Sequence, residues 1–530
     1  VNLTDPIQVP GAGSWQLDDP SGALRGTVSG GTVCGAGSYT LHFWLTTEPP
    51  FESAEAVFGY PGEGENAVLR FNFAEPTTVV VRVGLSSESW QQARERVLAE
   101  TGGRSFETLR DDARESWRES LAAVEIPFEA TDAPLFYTML FRSLQSPNDI
   151  AEGDGYRRMH GWSLWDTYRT KLPLQFLLGG DRARDIALSV RDLLASGPPA
   201  WATPEEPCPT VRNEHALVVL LDALRKGLLV DEEVAPYWDA MSAVFETFTY
   251  ESPDQHLESA YDWWAAAGLA ERLGLPDEAV EHAARAAAWS TTWAETFHEP
   301  GPDGDVMHGA GLYEGTVWQY RWAPVFDLAG LIAADGGREA FRAKLDAFFE
   351  DELFNMGNEP DIHAPFLYVH AGAPWRTQEI VAMILQGEMH HWYGTHEKWD
   401  APLERPAFAP EPDGLLPEMD DDAGTMAAWY VWAALGLYPV TVGEPSYVLG
   451  PPLFSRTTLH LRDPNGEPSV LVIEAPEVDP AHRFIQAATW NGAPLDRAWL
   501  SHEEIISGGT LRLDMATEPA PEWGLAKPPW

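Results

Sequence analysis

The run Glu418-Met419-Asp420-Asp421-Asp422-Ala423-Gly424 places three consecutive carboxylates at the entrance to an apolar, aromatic segment, Met426-Ala427-Ala428-Trp429-Tyr430-Val431-Trp432. That segment reads as a helix, and acidic side chains at a helix start are favoured by its dipole, so one of the three can be an ordinary N-terminal cap. Three exceed what capping requires. Hard oxygens concentrated in this way suit Ca²⁺, and a carboxylate held ionised beside a cation can take a proton from water. A second acid, Glu314, lies in Gly311-Leu312-Tyr313-Glu314-Gly315-Thr316-Val317-Trp318-Gln319-Tyr320. It is either an exposed group at a helix start or an acid buried against Tyr313 and Trp318. Burial would raise its pKa by desolvation, as a general acid working near neutral pH requires.

Two further clusters carry groups that recognise hydroxyls. Asn358-Glu359-Pro360 precedes Pro365-Phe366-Leu367-Tyr368 and Gly372-Ala373-Pro374-Trp375-Arg376-Thr377. Amides and carboxylates in a Pro-rich loop are common turn formers, and they also bind sugar hydroxyls. In Trp162-Ser163-Leu164-Trp165-Asp166-Thr167-Tyr168-Arg169, Asp166 and Arg169 can pair at helical spacing or hold vicinal hydroxyls by charge-assisted bonds.

The elements that must position these groups read as β, then α, then β. Tyr39 to Leu45 and Thr77 to Val83 are rich in β-branched and aromatic residues, and a sandwich up to about residue 85 is expected. Trp90, Ala93, Val97 and Leu98 then fall at helical spacing and predict a helical linker over 86–127. Between about 128 and 450 helical blocks recur, among them Ala216 to Gly227, Leu257 to Leu273, Glu278 to Phe297 and Arg338 to Phe349. Antiparallel helix pairs in such number can close into an (α/α)6 toroid or stack as a solenoid. From 451 to 530 the period returns to two, with Asn465-Gly466 and Asn491-Gly492 as turn signals.

With 35 basic and 81 acidic residues among 530, the formal charge is −46, which disfavours phosphate backbones and anionic membranes and suits neutral substrates and cations. The 23 Trp fill cores, and their planes also stack on sugar rings. Cys34 and Cys208 are the only cysteines, too few for a disulfide framework or a CxxC metal site. No stretch approaches the roughly 20 apolar residues that cross a bilayer. Residues 1–10 lack the regions of a signal peptide, and the start at Val1 is that expected of a trimmed or partial chain.

Taken together the clusters resemble family 92 of the glycoside hydrolases, the inverting, calcium-dependent exo-α-mannosidases. The likeness runs from about Leu85 to Gly524 through Trp165-Asp166-Thr167 with Arg169, Leu257-Glu258 with Tyr261-Asp262, Glu314-Gly315 with Trp318-Gln319-Tyr320, Gly357-Asn358-Glu359-Pro360, Gly424-Thr425-Met426-Ala427-Ala428-Trp429-Tyr430, and Gly436-Leu437-Tyr438-Pro439. The resemblance implies a β-sandwich, here shortened, then an (α/α)6 catalytic barrel, a Ca²⁺ contacting a terminal mannose, and water attacking opposite the leaving group. It implies Glu314 as general acid and Asp422 as general base, with Asp420 as helper and Asp420 and Asp422 as metal ligands. Trp165, Asp166 and Arg169 would bind the terminal mannose; Asn358 and Glu359 would lie near the leaving sugar. Mannose-containing glycans, N-glycan or mannan oligosaccharides, are the implied partners, and the implied location is secreted, periplasmic or cell-surface. The sequence departs from the family at Met419-Asp420, where Gly-Asn is usual, and at Trp263, where a second Asp is common. Competing readings are a mannosyl-phosphodiester hydrolase, which needs no acid and is disfavoured by Glu314, a mannose-binding protein without turnover, and a helical scaffold.

Overall fold

The computed structural model describes residues 13–18, 22–31, 38–58, 65–152, 157–161, 163–197, 215–410, 414–416, 419, 421–463 and 465–526. Contacts divide the chain into two compact units. The first holds residues up to 120 with the short pieces 150–156 and 196–210, and the second holds the remainder. The helices of 90–120 thus group with the strands before them, and the strands after 451 group with the helices before them.

In the first unit, β1 (Gly13–Asp18), β2 (Ala23–Gly31), β3 (Ser38–Glu48) and β6 (Val80–Ser86) form an antiparallel sheet in that order, while β4 (Ser53–Phe58) and β5 (Glu65–Arg70) form a separate hairpin. Side chains alternate across a strand, so Leu24, Phe43 and Leu45 point one way and Ala23 and Trp44 the other. The first set packs on Ala54, Ala67 and Leu69 of the hairpin, and the second on Trp90, Ala93 and Val97 of α1 (Trp90–Thr101). Gly26 is required between the layers: a Cβ there would stand 2.9 Å from the Phe43 ring. Ser89 caps α1 by accepting from the Gln92 amide at 3.2 Å. Val97 is buried as its spacing predicts, whereas Leu98 is exposed.

The second unit begins with β7 (Val124–Glu125), which pairs with the C-terminal strands. Helices follow, including α2 (Ala133–Leu144), α3 (Leu164–Thr167), α4 (Lys171–Leu178), α5 (Ala216–Arg225), α6 (Pro253–Arg272), α7 (Val317–Tyr320), α8 (Pro374–Gln386) and α9 (Thr425–Leu435). The expected block Glu278 to Phe297 is two helices, Pro276–Ala287 and Trp289–Thr296. Between α8 and α9 stands a hairpin of β8 (Met389–Tyr393) and β9 (Lys398–Arg405), a pairing the sequence reading did not foresee. All eleven residues of α9 are buried, as expected for a helix apolar on every side, and Gly436 at φ 72° ends it. The chain closes with β10 (Arg456–Arg462), β11 (Pro468–Glu474), β12 (Phe484–Trp490), β13 (Ala493–Leu495) and β14 (Gly509–Ala516), in the sheet order β13-β12-β14-β11-β10-β7. Asn491 and Gly492, at φ 50° and 80°, turn β12 into β13 with the paired positive φ of a type I′ turn. No helix among the described residues is long and apolar enough to cross a membrane.

Candidate active site

Two loops of the second unit hold strained backbone. Among the described residues the non-glycine positions with positive φ are His308, Ala310, Glu314, Glu352, Asp422, Ala423 and Asn491. Five of these lie in two loops, one ending at Glu314 and the other beginning at Asp422. Such strain persists only where surrounding structure enforces it, and it gathers at functional sites.

Glu314, at φ 45°, sits in the loop before α7 and not in the helix itself. The Asn358 amide nitrogen donates to its carbonyl at 2.8 Å and reaches its carboxylate Oε2 at 3.5 Å, and His396 Nδ1 lies 3.7 Å from Oε1. Its two aromatic neighbours in the chain have ring partners of their own. Tyr313 meets Trp165 edge-on at 5.1 Å, and Trp318 stacks on Phe348. The helix start is satisfied instead by Thr316, whose Oγ1 accepts from the Gln319 amide, while Gln319 Oε1 accepts from the Thr316 amide. Gly315 admits the close approach, since a Cβ there would stand 2.7 Å from the Tyr320 ring and 3.2 Å from Pro360.

The charge of Glu314 acts on Asp166, and one oxygen each from Asp166, Glu359 and Asp422 lie within 4.8 Å of one another. The three come from distant stretches: Asp166 from α3, Glu359 from a tight turn after the extended Asn358, and Asp422 from the turn leading into α9. Glu359 is wholly buried and neither of its oxygens meets a hydrogen-bond donor. Burial first, then the charges of Asp422 and Asp166, pushes its carboxyl well above the usual range. Asp166 is raised in the same sense by burial and by Asp422, against the hydroxyl of Ser163 and the charge of Arg169. The Asn358 Oδ1 is also buried without a partner. Ca²⁺ binds oxygens at about 2.3–2.6 Å, which sets ligands on opposite sides of an ion roughly 5 Å apart. The three carboxylates fit that span, and the two unpartnered oxygens of the buried Glu359 give the fit a physical motive.

Asp166 and Glu359, expected to contact sugar, therefore share one acidic group with Asp422. Of the three consecutive aspartates, Asp421 takes the capping role: its Oδ1 accepts from the Ala427 amide at 2.9 Å at the start of α9, and Arg142 stands 3.8 Å from Oδ2. Asp420 lies outside the described residues. Trp165 is 2% exposed, its indole nitrogen donating to Glu258 at 2.8 Å. Arg169 uses Nη2 on the same carboxylate at 2.9 Å and Nε on the Trp165 carbonyl at 3.1 Å. Glu258 on α6 thus ties both residues together.

Sequence reasoning missed Lys171. Fully buried on α4, it donates to the Ala423 carbonyl and to Ser146 Oγ, pinning the Asp422 loop. Burial pushes its pKa down to about 7, partly opposed by Asp421. A lone charge in the apolar run Lys171-Leu172-Pro173-Leu174 was the available signal. Gly424, at φ 98°, presses the same loop on the end of α2, where a Cβ would stand 2.8 Å from the Arg142 carbonyl oxygen.

Glu314 on one strained loop and, close by, the carboxylates of Asp166, Glu359 and Asp422, which could hold a cation, are residue types that acid–base hydrolysis can use. The chain belongs to glycosyl hydrolase family 92, whose catalytic-domain model matches residues 92–517. A curated relative, an uncharacterised secreted glycosidase of Arthroderma benhamiae, is 24% identical over 510 residues. That match takes in 85% of this chain, which spans 62% of the relative's length. Among solved structures, the GH92 glycosyl hydrolase CcMan5 superposes with a TM-score of 0.85 at 26% identity, covering 98% of this chain and 78% of that one. A GH92 α-mannosidase of Bacteroides thetaiotaomicron, also solved with mannoimidazole, gives 0.80 at 21% identity, covering 97% of this chain and 75% of its own. An inverting GH92 mannosidase of the same organism gives 0.79 at 22%, covering 97% and 78%. These last likenesses concern the fold.

Proposed function

We propose that the protein is an exo-acting α-mannosidase that hydrolyses terminal α-mannosides of N-glycan or mannan oligosaccharides with inversion, using Ca²⁺. The observation that carries this reading is the group of Asp166, Glu359 and the half-buried Asp422, close enough to Glu314 for its charge to act on Asp166. Family membership and the α-mannosidase relatives supply the substrate class. In this reading the helices of 128–450 form an (α/α)6 barrel between a shortened β-sandwich at 1–85, a helical linker at 86–127 and a β region at 451–530. The secreted relative favours a secreted, periplasmic or cell-surface location.

Asp166, Glu359 and Asp422 would hold the cation, with Asp420 as a further ligand. Once bound, it neutralises the carboxylates and polarises the mannose hydroxyls it touches. Glu314 gives its proton to the glycosidic oxygen, held in place by the Asn358 amide. Asp422, helped by Asp420, accepts a proton from water attacking the opposite face of the sugar. Trp165 and Arg169, fixed by Glu258, shape the seat of the terminal mannose, and Asn358 borders the leaving sugar.

The experiment compares kcat/KM for an α-mannobiose and for an aryl α-mannoside with an acidic phenol. Glu314→Gln should lose roughly 10²–10⁴-fold on mannobiose and far less on the aryl substrate, because a stabilised leaving group needs no proton. Asp422→Asn should slow both alike, and proton NMR should show β-mannose formed first. Equal losses in Glu314→Gln, or α-mannose as first product, would sink the assignment.

A further inference from the structure

Glu314 is 13% exposed in its side chain, and on its open side stands His396, 70% exposed, with Nδ1 3.7 Å from Oε1. His396 belongs to the tight turn of the β8–β9 hairpin, closed by the Gly394 amide donating to the Glu397 carbonyl at 2.8 Å. Nothing in the acid–base mechanism above uses this hairpin, yet three contacts fasten it to the segment that carries Glu314. Lys398 forms an ion pair with Asp305, and the Tyr393 hydroxyl reaches the Asp305 carbonyl at 3.4 Å. His308 Nε2 lies 3.1 Å from the His396 carbonyl, with the two imidazoles stacked at 6.4 Å. His308 is itself built into the acid's loop: its amide donates to the Gly315 carbonyl at 3.0 Å, and its Nδ1 lies 3.2 Å from the Leu312 carbonyl. The hairpin tip and the Glu314 carboxylate therefore keep a fixed register.

We propose that this hairpin forms the leaving-group side of the pocket and that His396 is a positioning residue, orienting the Glu314 carboxyl and the departing sugar together. The inference rests on Glu314 acting as the acid. A general acid must come within about 2.6–3.2 Å of the oxygen it protonates. That oxygen belongs to the leaving residue, so a ring attached to it has to pass the exposed imidazole beside the same carboxylate. The ligand recognised is a hydroxylated sugar in the leaving position, through a hydrogen bond with an imidazole. A flat aryl group presents no hydroxyl there and gains nothing.

The test is steady-state kinetics of the full chain and of His396→Ala and His396→Gln on an α-mannobiose and on an aryl α-mannoside with an acidic phenol. His396→Ala should lower kcat/KM on mannobiose about tenfold, through both kcat and KM, and change the aryl substrate less than about twofold. His396→Gln, which keeps a hydrogen-bonding group, should recover most of the loss. Equal losses on both substrates, or none on mannobiose, overturn the inference while leaving the function standing. A native chain that cleaves neither mannoside overturns both. Binding of a sulfur-linked mannobiose, measured by calorimetry, should weaken in His396→Ala while binding of mannose stays unchanged; equal weakening of the two also counts against a leaving-group role.

Discussion

Calcium added at pH 7 to chelator-treated protein should drive protons out of it. Two carboxylates at the outer separation of 4.8 Å repel by about 3.5 kcal/mol at an effective dielectric near 20. Three such pairs sum to about 10 kcal/mol, comparable with the whole stability of a domain. The guanidinium of Arg169, which acts on both Asp166 and Glu359, is already bonded to Glu258. Without a cation the group must therefore relieve itself by keeping protons, in line with the upward shifts of Asp166 and Glu359. A bound divalent ion favours the ionised forms, so each calcium should displace roughly one to two protons. Calorimetric titration in two buffers of different ionisation enthalpy measures that number directly, and Glu359→Gln should reduce it. At a calcium concentration 1,000-fold above Kd the stabilisation is about 4.1 kcal/mol. For a cooperative unit of roughly 400 residues, this raises Tm by about 4–5 °C. Calcium binding without proton release would refute the electrostatic argument. A Tm indifferent to calcium would refute the site.

Other expectations follow from buried charge. His370 is enclosed, and burial lowers its pKa from 6.5 to about 3. The unfolded chain then binds a proton that the native state refuses, so stability from this residue is lost as pH falls below about 6.5 and continues to fall towards 3. Between pH 7 and 5 the native protein should lose roughly 2 kcal/mol relative to His370→Met, read from urea midpoints; a constant difference would contradict this. The Arg321–Asp335 pair, at 2.8 Å with both side chains wholly buried, stands among Trp293, Trp318 and Trp322. Asp335→Ala should cost about 3–5 kcal/mol by stranding the guanidinium, while Arg321→Met with Asp335→Leu should recover much of it. A denaturant midpoint unmoved by Asp335→Ala would show that neither the Arg321 pair nor the Lys344 contact at 3.1 Å carries stability.

Local order was legible because it is written locally. Three aspartates before an all-apolar segment announced a helix start, and the segment is the fully buried α9. Asn491-Gly492 announced a turn and makes one, as the positive φ of both residues permits. The residue types of the site were likewise on the page, since acids, amides and aromatics in a fixed order pointed to a glycosidase. Which acid stands beside which was not, because the pattern within one segment carries no information about the partner it meets. Glu359 and Asp166 join Asp422 across 256 residues of sequence, from 166 to 422, because α3, the Asn358 turn and the entrance of α9 converge, and only their packing brings the three carboxylates within 4.8 Å. The same holds for Glu314. The sequence offered Tyr313 and Trp318 as its walls because they are neighbours in the chain; that Asn358 and His396, 44 and 82 residues further on, stand beside its carboxylate is decided by the fold. Composition and periodicity decide which segments fold into helices and strands; the long-range burial that overrides local preference decides which charges must face one another, and it is that enforced proximity which makes a site.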